Sequence, residues 1–432
     1  KINNIPVATI GTLGIKYNGR TIKTSLTSPD TITLHKNLHN LKKKKINNVI
    51  LEASSHGLDQ KRLHHINFKG AIFTNFSQDH LDYHKTMKSY LNAKLILFKD
   101  ILNRRSTIIS DSKVKPFALL KKIAKKKGLK LFDISEDLKK INNMNLNFMS
   151  DFKIKNYAMA LKALQLCNLR DRDIYKAFKK IKDVDGRLEM AKKYSNGVKV
   201  FIDYAHTPDA LSKTLGALKS YYRNNITLVF GCGGERDKKK RSQMAKIANQ
   251  ICGKIYVTDD NPRNEDPKKI RNDLSKHIDK NKLKNIGNRY LAIKKAINSA
   301  DPHEIILIAG KGHEEEQIYK NKIIKISDRE ILKKIKLRNK IFNKQKNNFF
   351  QNRIILDRII GKTKLNFNGL SIDTRTLKKN NLFLAIKGKK YDGNKFVKNA
   401  LKKGAGCVIS SSTRQRNNKK IIKVKKTINF LN

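Results

Sequence analysis

Glu52, Ser54, Ser55 and His56 follow one apolar run, and Asn75, Asp79, His80 and His84 follow another. Carboxylate, hydroxyl and imidazole groups gathered this way suit a divalent cation carrying phosphates. Hard cations prefer oxygen ligands, and magnesium takes only one or two from protein. The runs themselves, residues 49–51 and 71–73, read as short buried strands, and ligands bind outside the carboxyl ends of strands in an open α/β sheet. Glu52 at a strand end is hard to explain structurally, because a buried unpaired carboxylate is costly. His80 is open to two readings, ligand or satisfied core imidazole. Lys94 lies in the apolar stretch 91–98 and by itself reads as a lysine snorkelling to solvent.

Four further polar turns occur later in the chain. DYAHTPDAL offers Asp203 and His206, with Pro208 placed to open a helix. GCGGERDKKKR offers Gly231, Gly233 and Gly234 for close backbone approach and Arg236 to fork onto a carboxylate or phosphate. TDDNPRNEDP offers Asp259, Asp260, Asn261 and Arg263; AGKGHEEEQ offers Gly310, Lys311, Gly312, His313 and Glu314. Each has an ordinary explanation as a capped helix or a turn. Four polar, glycine-bearing turns at successive strand ends together favour a ligand cleft.

The elements that must position these groups alternate between strand and helix, an α/β pattern. Residues 1–185 form one domain and 186–336 a second, whose repeated strand–helix–strand units imply a parallel, doubly wound sheet. Residues 337–350, charged and amide-rich, read as a linker, and 351–432 as a small α/β module.

The 432 residues carry 95 Lys+Arg against 36 Asp+Glu, a net charge of +59. Such a surplus ordinarily points to nucleic acid or anionic membrane. Here Lys, Asn and Ile are spread through loops and helix faces instead of forming a basic arm, and no reading motif accompanies them. We therefore expect neither a nucleic-acid nor a membrane partner. Cys167, Cys232, Cys252 and Cys407 form no CxxC pair, which indicates a reducing compartment. No apolar run approaches the roughly 20 residues needed to span a bilayer. A cytoplasmic monomer is the expectation.

Taken in order, EASSHGL, TNFSQDHLDYH, GRLEM, DYAHTPDAL, FGCGGERDKKKR, TDDNPR and AGKGHE resemble the Mur ligases, ATP-dependent amide ligases of peptidoglycan precursor synthesis. The resemblance covers roughly residues 5–335 and implies a central ATPase-type domain followed by a Rossmann-like domain, both with parallel sheets. It implies Glu52 and His80 as Mg2+ ligands and Lys94 as a carbamylated lysine holding a second Mg2+. Thr27, Ser28, Ser54, Ser55 and His56 would touch UDP-MurNAc-L-Ala-D-Glu, and Asn75, Asp203 and His206 the ATP nucleotide. The DNPR form goes with addition of meso-diaminopimelate, with Arg236, Asp260, Asn261, Arg263, Gly310 and Glu314 as its contacts. The implied chemistry is phosphoryl transfer to a γ-carboxylate and then acyl transfer to an amine.

Three departures accompany the resemblance. No G-x-x-x-x-G-K-[ST] phosphate loop occurs in the chain, and GTLG at Gly11–Gly14 has neither the lysine nor the hydroxyl to replace it. Where the family has a G-x-F-N-x-x-N pattern this chain reads SDFKIKN, keeping Phe152 and Asn156 but carrying Ser150 and Lys153. From Ser371 onward, SIDTRTLKKNNLFLAIKG and YDGNKF, with Thr374, Arg375 and Asp392, resemble the uridine-binding domain of another Mur ligase, the one adding D-Ala-D-Ala. The simplest expectation is a segment of a fusion of two ligases, neither complete, unable by itself to use ATP productively; the alternative is a non-catalytic binding module.

Overall fold

The computed structural model describes residues 5–142, 150–178, 180–181, 183–335, 369–387, 392–411 and 420–424. The linker expected over 337–350 lies outside them, as does 143–149 within the departing segment. Two compact units are present, residues 1–337 and 338–432.

The first half of the large unit contains two sheets. Strands β1 (Val7–Gly11), β2 (Gly14–Tyr17), β3 (Arg20–Ile22) and β4 (Asn48–Leu51) lie in the order β3-β2-β1-β4. The first three are antiparallel, and β4 runs parallel to β1. Strands β5 (Gly70–Phe73), β6 (Thr107–Ser110) and β7 (Lys130–Asp133) form a separate parallel sheet. The expectation of a buried strand is therefore corrected for β4, whereas in β5 Ala71 and Phe73 are buried. β4 and β5 are edge strands of different sheets, and Ile50 is 63% exposed because β4 is paired only to β1. One apolar core still joins the two sheets, through Ile10, Leu34, Leu58, Phe73, Leu95, Phe98, Ile108 and Leu120. Its central helix, Met87–Ile96, is capped by Thr86, whose Oγ1 accepts from Ser89 N at 3.1 Å, and it carries Lys94. It runs on into a single π turn, Leu97–Ile101.

The second half is the doubly wound sheet expected from the strand–helix repeats. Strands β8 (Glu189–Lys193), β9 (Lys199–Asp203), β10 (Ile226–Phe230), β11 (Lys254–Val257), β12 (Leu283–Asn285) and β13 (Ile305–Ala309) lie in the order β12-β11-β10-β13-β9-β8. All are parallel except β8, which pairs antiparallel to β9. The all-apolar β13 is buried along its length because helices cover both faces. Helices Pro208–Tyr222, Lys239–Ile251 and Pro267–Ser275 pack on one face, and Arg289–Asn298 and Asp328–Lys334 on the other. The return from β12 crosses that second face and inserts β13 between β10 and β9. As a result the C-terminal ends of β11, β10, β13 and β9 are neighbours. A hairpin of β14 (Glu316–Tyr319) and β15 (Lys322–Lys325) follows, and Arg263 bridges to Tyr319.

The small unit is a parallel sheet of β16 (Gly369–Ser371), β17 (Asn381–Leu384), β18 (Cys407–Ser410) and β19 (Ile421–Lys423) in sequential order. Helix Val397–Lys402 packs on it through Val397 and Ala400. Among the described residues no helix is long and apolar enough to cross a membrane.

Candidate functional site

In the first half, residues after β1 and β4 are tied by hydrogen bonds. Glu52 Oε2 accepts from Thr12 N and Thr12 Oγ1, both at 2.8 Å, and Thr12 Oγ1 lies 3.2 Å from Thr27 Oγ1. Gly11 makes this approach possible: a Cβ there would sit 2.6 Å from Glu52 Oε2. Ser28, fully buried, donates to the Glu52 carbonyl at 2.9 Å and lies 3.1 Å from Ser54 Oγ, which caps the short helix Ser55–Asp59. Glu52 is thus an exposed carboxylate anchored to a threonine, not the buried one its strand-end position suggested.

The residues after β5 form a box of rings. His56 lies 5.0 Å from His80, 4.2 Å from Tyr83 and 5.4 Å from His84, measured between centroids. His84 Nε2 is 3.0 Å from Ser55 Oγ. Burial lowers the pKa of His56, His80 and His84 alike; for His56 the neighbouring imidazoles add to it, and for His80 the Asp79 carboxylate opposes it. Lys94 closes the box, its Nζ 5.2 Å from the Tyr90 ring centroid and 5.9 Å from that of Phe73. Burial lowers the Lys94 pKa as well, against the pull of Asp79. Asn75 is exposed just beyond β5.

On the second half the four turns meet. Gly310 has φ +105° and abuts Asp260; a Cβ there would lie 2.6 Å from Asp260 Oδ2, so both the backbone angle and the space require glycine. Asn261 Nδ2 donates to Glu314 Oε2 at 2.9 Å, and Asn261 Oδ1 accepts from Ile318 N at 3.0 Å and Lys311 Nζ at 3.2 Å. Lys311, with no exposed surface, also reaches Glu314 Oε2 at 2.8 Å. Arg263 Nη1 donates to the carbonyls of Gly234 at 2.8 Å and Asn261 at 3.3 Å. Arg236 and Arg263 flank Gly233, where a Cβ would lie 2.9 Å from Arg263 Nη1 and 3.8 Å from Arg236 Cγ. A carboxylate, an amide and two guanidinium groups therefore cluster at these turns.

Asp203 serves its own turn. It is buried, accepts from Leu188 N at 2.5 Å, Ala205 N at 2.8 Å and Thr214 Oγ1 at 3.3 Å, and burial raises its pKa against these bonds. That turn presents His206, whose Nδ1 is 2.9 Å from the Tyr204 carbonyl, and Tyr204, over whose ring Arg187 stacks at 4.5 Å.

The two halves meet along residues 78–82. Gln78 Nε2 donates to Asp237 Oδ2 at 2.7 Å, Asp79 Oδ2 lies 3.4 Å from His206 Nε2, and Arg236 Nη1 donates to Asp82 Oδ2 at 3.1 Å. Burial alone would raise the Asp79 pKa, but His206, His80 and Lys240 together hold its carboxyl well below the usual range. The structure thus gathers Thr27, Ser28, Glu52, Ser54, Ser55, His56, His80 and Lys94 on one wall and His206, Arg236, Asp260, Asn261, Arg263, Gly310 and Glu314 on the other. Sequence reasoning offered Lys311 among the residues of its turn but gave no role to Thr12, Asp82, Arg187 or Tyr204.

Comparison with known proteins follows this division. The description "Mur ligase middle domain" matches residues 2–165, "Mur ligase, glutamate ligase domain" matches 186–312, and "Mur ligase family, catalytic domain" matches 366–430. The UDP-N-acetylmuramoyl-L-alanyl-D-glutamate--2,6-diaminopimelate ligase of Rickettsia montanensis is 38% identical over 354 residues, covering 76% of this chain and 73% of that one. The ligase of the same name from Clostridium botulinum is 33% identical over 350 residues, covering 76% and 72%. Among solved structures, Mycobacterium tuberculosis folylpolyglutamate synthase complexed with ADP and AMPPCP superposes with a TM-score of 0.57 at 14% identity, over 72% of this chain and 83% of that one, a likeness of fold.

Proposed function

The chain belongs to the Mur ligase family, and on that premise we propose that it acts in ATP-dependent joining of meso-diaminopimelate to UDP-N-acetylmuramoyl-L-alanyl-D-glutamate. The observation that carries the choice of amino acid is the Asn261-centred network. Its side-chain amide and the Lys311 ammonium both meet Glu314 Oε2, with Glu314 Oε1 3.4 Å from the Tyr204 hydroxyl, while its backbone carbonyl meets Arg263 Nη1; a carboxylate thus stands beside a guanidinium, the pairing that a ligand ammonium next to a carboxylate would seek. Diaminopimelate presents both at its far end. Lysine lacks the second carboxylate and would leave a guanidinium without its planar, bidentate partner.

In this reading the glutamate γ-carboxylate attacks the γ-phosphate of ATP, ADP leaves, and the diaminopimelate amine displaces phosphate from the acyl phosphate. The protein contributes positioning and charge neutralisation. Ser28 and Ser54 spend hydroxyls on each other and shape the wall on which Thr27, Ser55 and His56 face the muramoyl dipeptide. Asp203 holds the turn that offers His206 to the nucleotide, and Asn75, exposed just after β5, is the contact from the first half. Arg187, exposed over Tyr204, supplies positive charge near that turn.

Glu52, His80 and Lys94 fit magnesium. The donors are an exposed carboxylate and an imidazole, with no thiolate, and they are few, as suits a cation that keeps much of its water. When bound, magnesium neutralises charge on the transferring phosphoryl oxygens. The lowered Lys94 pKa enlarges the neutral-amine fraction, the form whose lone pair attacks carbon dioxide and gives up a proton to yield a carbamate. That carbamate would add a second carboxylate to the wall.

The same reading divides the large unit near residue 186, treats 351–432 as a uridine-binding module of the D-Ala-D-Ala-adding type within a fused ligase, and places a monomer in the cytoplasm. Calorimetry with meso-diaminopimelate and L-lysine tests it: diaminopimelate binding at least tenfold tighter is expected, and equal affinity would refute the assignment. A non-catalytic module would bind the amino acid without binding ATP; because no G-x-x-x-x-G-K-[ST] loop occurs in the chain, radiolabelled diaminopimelate is expected not to be ligated by it, and normal turnover would refute that expectation.

A further inference from the structure

Arg236 stands with Arg263 beside Gly233, and in this structure one nitrogen of its guanidinium is engaged. Nη1 donates to Asp82 Oδ2 at 3.1 Å, and Asp82 belongs to the opposite wall, in the short helix Leu81–His84 that follows β5. The pair is not an isolated surface contact. Within one short stretch of chain, Gln78 holds Asp237, Asp79 holds His206, and Asp82 holds Arg236, so two turns of the second half are engaged by a single segment. Asp79 is also 3.5 Å from His80 Nε2 of its own segment, which fixes the strap to the first wall.

We propose that Asp82 is a specificity-determining residue, a built-in competitor that occupies Arg236 until the carboxylate of the incoming amino acid displaces it. The inference rests on the reading that Arg236 contacts that carboxylate. Two consequences follow from charge alone. A ligand bearing the distal carboxylate must exchange partners with Asp82, so Asp82 reduces the affinity gained from Arg236. A ligand without it leaves the Arg236–Asp82 pair intact and meets no uncompensated cation, so Asp82 makes the site more tolerant of lysine. Both partners keep access to solvent, with side-chain exposures of 48% and 25%, so the competition is modest. Pairs of this kind are worth at most about 1 kcal/mol, or roughly fivefold in affinity.

The test is a double-mutant cycle on the full chain, read by calorimetry with meso-diaminopimelate and with L-lysine. D82N is expected to tighten diaminopimelate binding by about twofold to fivefold and to leave lysine binding unchanged or weaker. R236Q is expected to weaken diaminopimelate binding, and in the R236Q background D82N should change nothing. A residue needed only for structure would weaken binding when removed, so the sign of the D82N effect separates the two roles. If R236Q weakens diaminopimelate but D82N fails to tighten it, or tightens it equally without Arg236, the competitor role is overturned. If R236Q leaves diaminopimelate binding unaltered, the reading of Arg236 as an amino-acid contact falls first and the inference with it.

Discussion

Arg289 is fully buried at the start of helix Arg289–Asn298, and replacing it by methionine should expose how strongly the second sheet depends on it. Its Nε and Nη2 donate to the two carboxylate oxygens of Asp328, each at 2.7 Å, and Nη2 also reaches the Ala309 carbonyl at 3.1 Å. Asp328 is only 1% exposed. Arg289→Met fills the same space with an apolar chain but strands the Asp328 carboxylate in the interior. Breaking a buried pair in this way costs about 3–5 kcal/mol, a large share of the roughly 5–15 kcal/mol that holds a typical domain together. Arg289→Met with Asp328→Leu removes both charges, and most of the loss should be recovered because a well-packed apolar pair of similar volume is near neutral. The chain has no tryptophan, so urea unfolding is best followed by far-ultraviolet circular dichroism. A drop below about 1 kcal/mol for the single variant, or a double variant as unstable as the single, would refute the argument. Function offers an independent reading. Ala309 immediately precedes Gly310, so the rescued double variant, lacking the clamp on its carbonyl, should bind meso-diaminopimelate more weakly by calorimetry than the parent does.

Lys94→Arg keeps a charge but cannot form a carbamate at neutral pH; with 13C-labelled bicarbonate the parent should show a carbamate carbon signal that the variant lacks. A parent without that signal, or a variant that keeps it, would exclude the carbamate at Lys94. Acid should weaken the fold in a defined window. His56, His80, His84 and His313 all have pKa values lowered by burial below the ordinary 6.5, so the folded state favours their neutral forms. Their contribution is intact above about pH 6.5 and is lost as pH falls through the lowered values. The urea midpoint should therefore hold between pH 8 and 7 and decline below 6.5, whereas the loss carried by Asp79, whose carboxyl is held low, begins only below its ordinary 3.8. A midpoint that rises between pH 6.5 and 5 would contradict the sign.

What could be read in advance depended on whether the determining contacts were local. The turns at 203–206, 231–236, 258–263 and 310–314 each end a buried apolar strand, and both the strand and its polar terminus are visible in a dozen residues. That the four turns are neighbours was not visible. It depends on β13 inserting between β10 and β9, a consequence of helix Arg289–Asn298 crossing on the opposite face. The first half was less legible for a related reason. Four-residue apolar runs say that a strand exists but not which sheet receives it, and β4 edges a sheet separate from that of β5, which leaves it exposed. That exposure extends to Glu52, whose presumed burial was the argument for a ligand role. It is exposed and anchored to Thr12, 40 residues earlier in the chain.

The composition explains why the cross-cleft pairs were the least legible of all. With 95 lysines and arginines against 36 aspartates and glutamates, a cation in this chain says almost nothing about its partner, since most cations must go without a carboxylate. The informative residues are the scarce acids. Asp79 and Asp82 sit three residues apart in a motif whose histidine draws attention first, yet they reach His206 and Arg236 across the cleft. The Asp82–Arg236 separation is 154 residues, far beyond any periodicity or motif spacing. Asp79 and Asp82 give the cleft two cross-wall attractions in a chain where acids are scarce. The walls should therefore separate as salt rises only to the extent that these pairs are exposed: Arg236–Asp82, whose guanidinium is 48% exposed, would weaken before Asp79–His206, whose imidazole is 35% exposed.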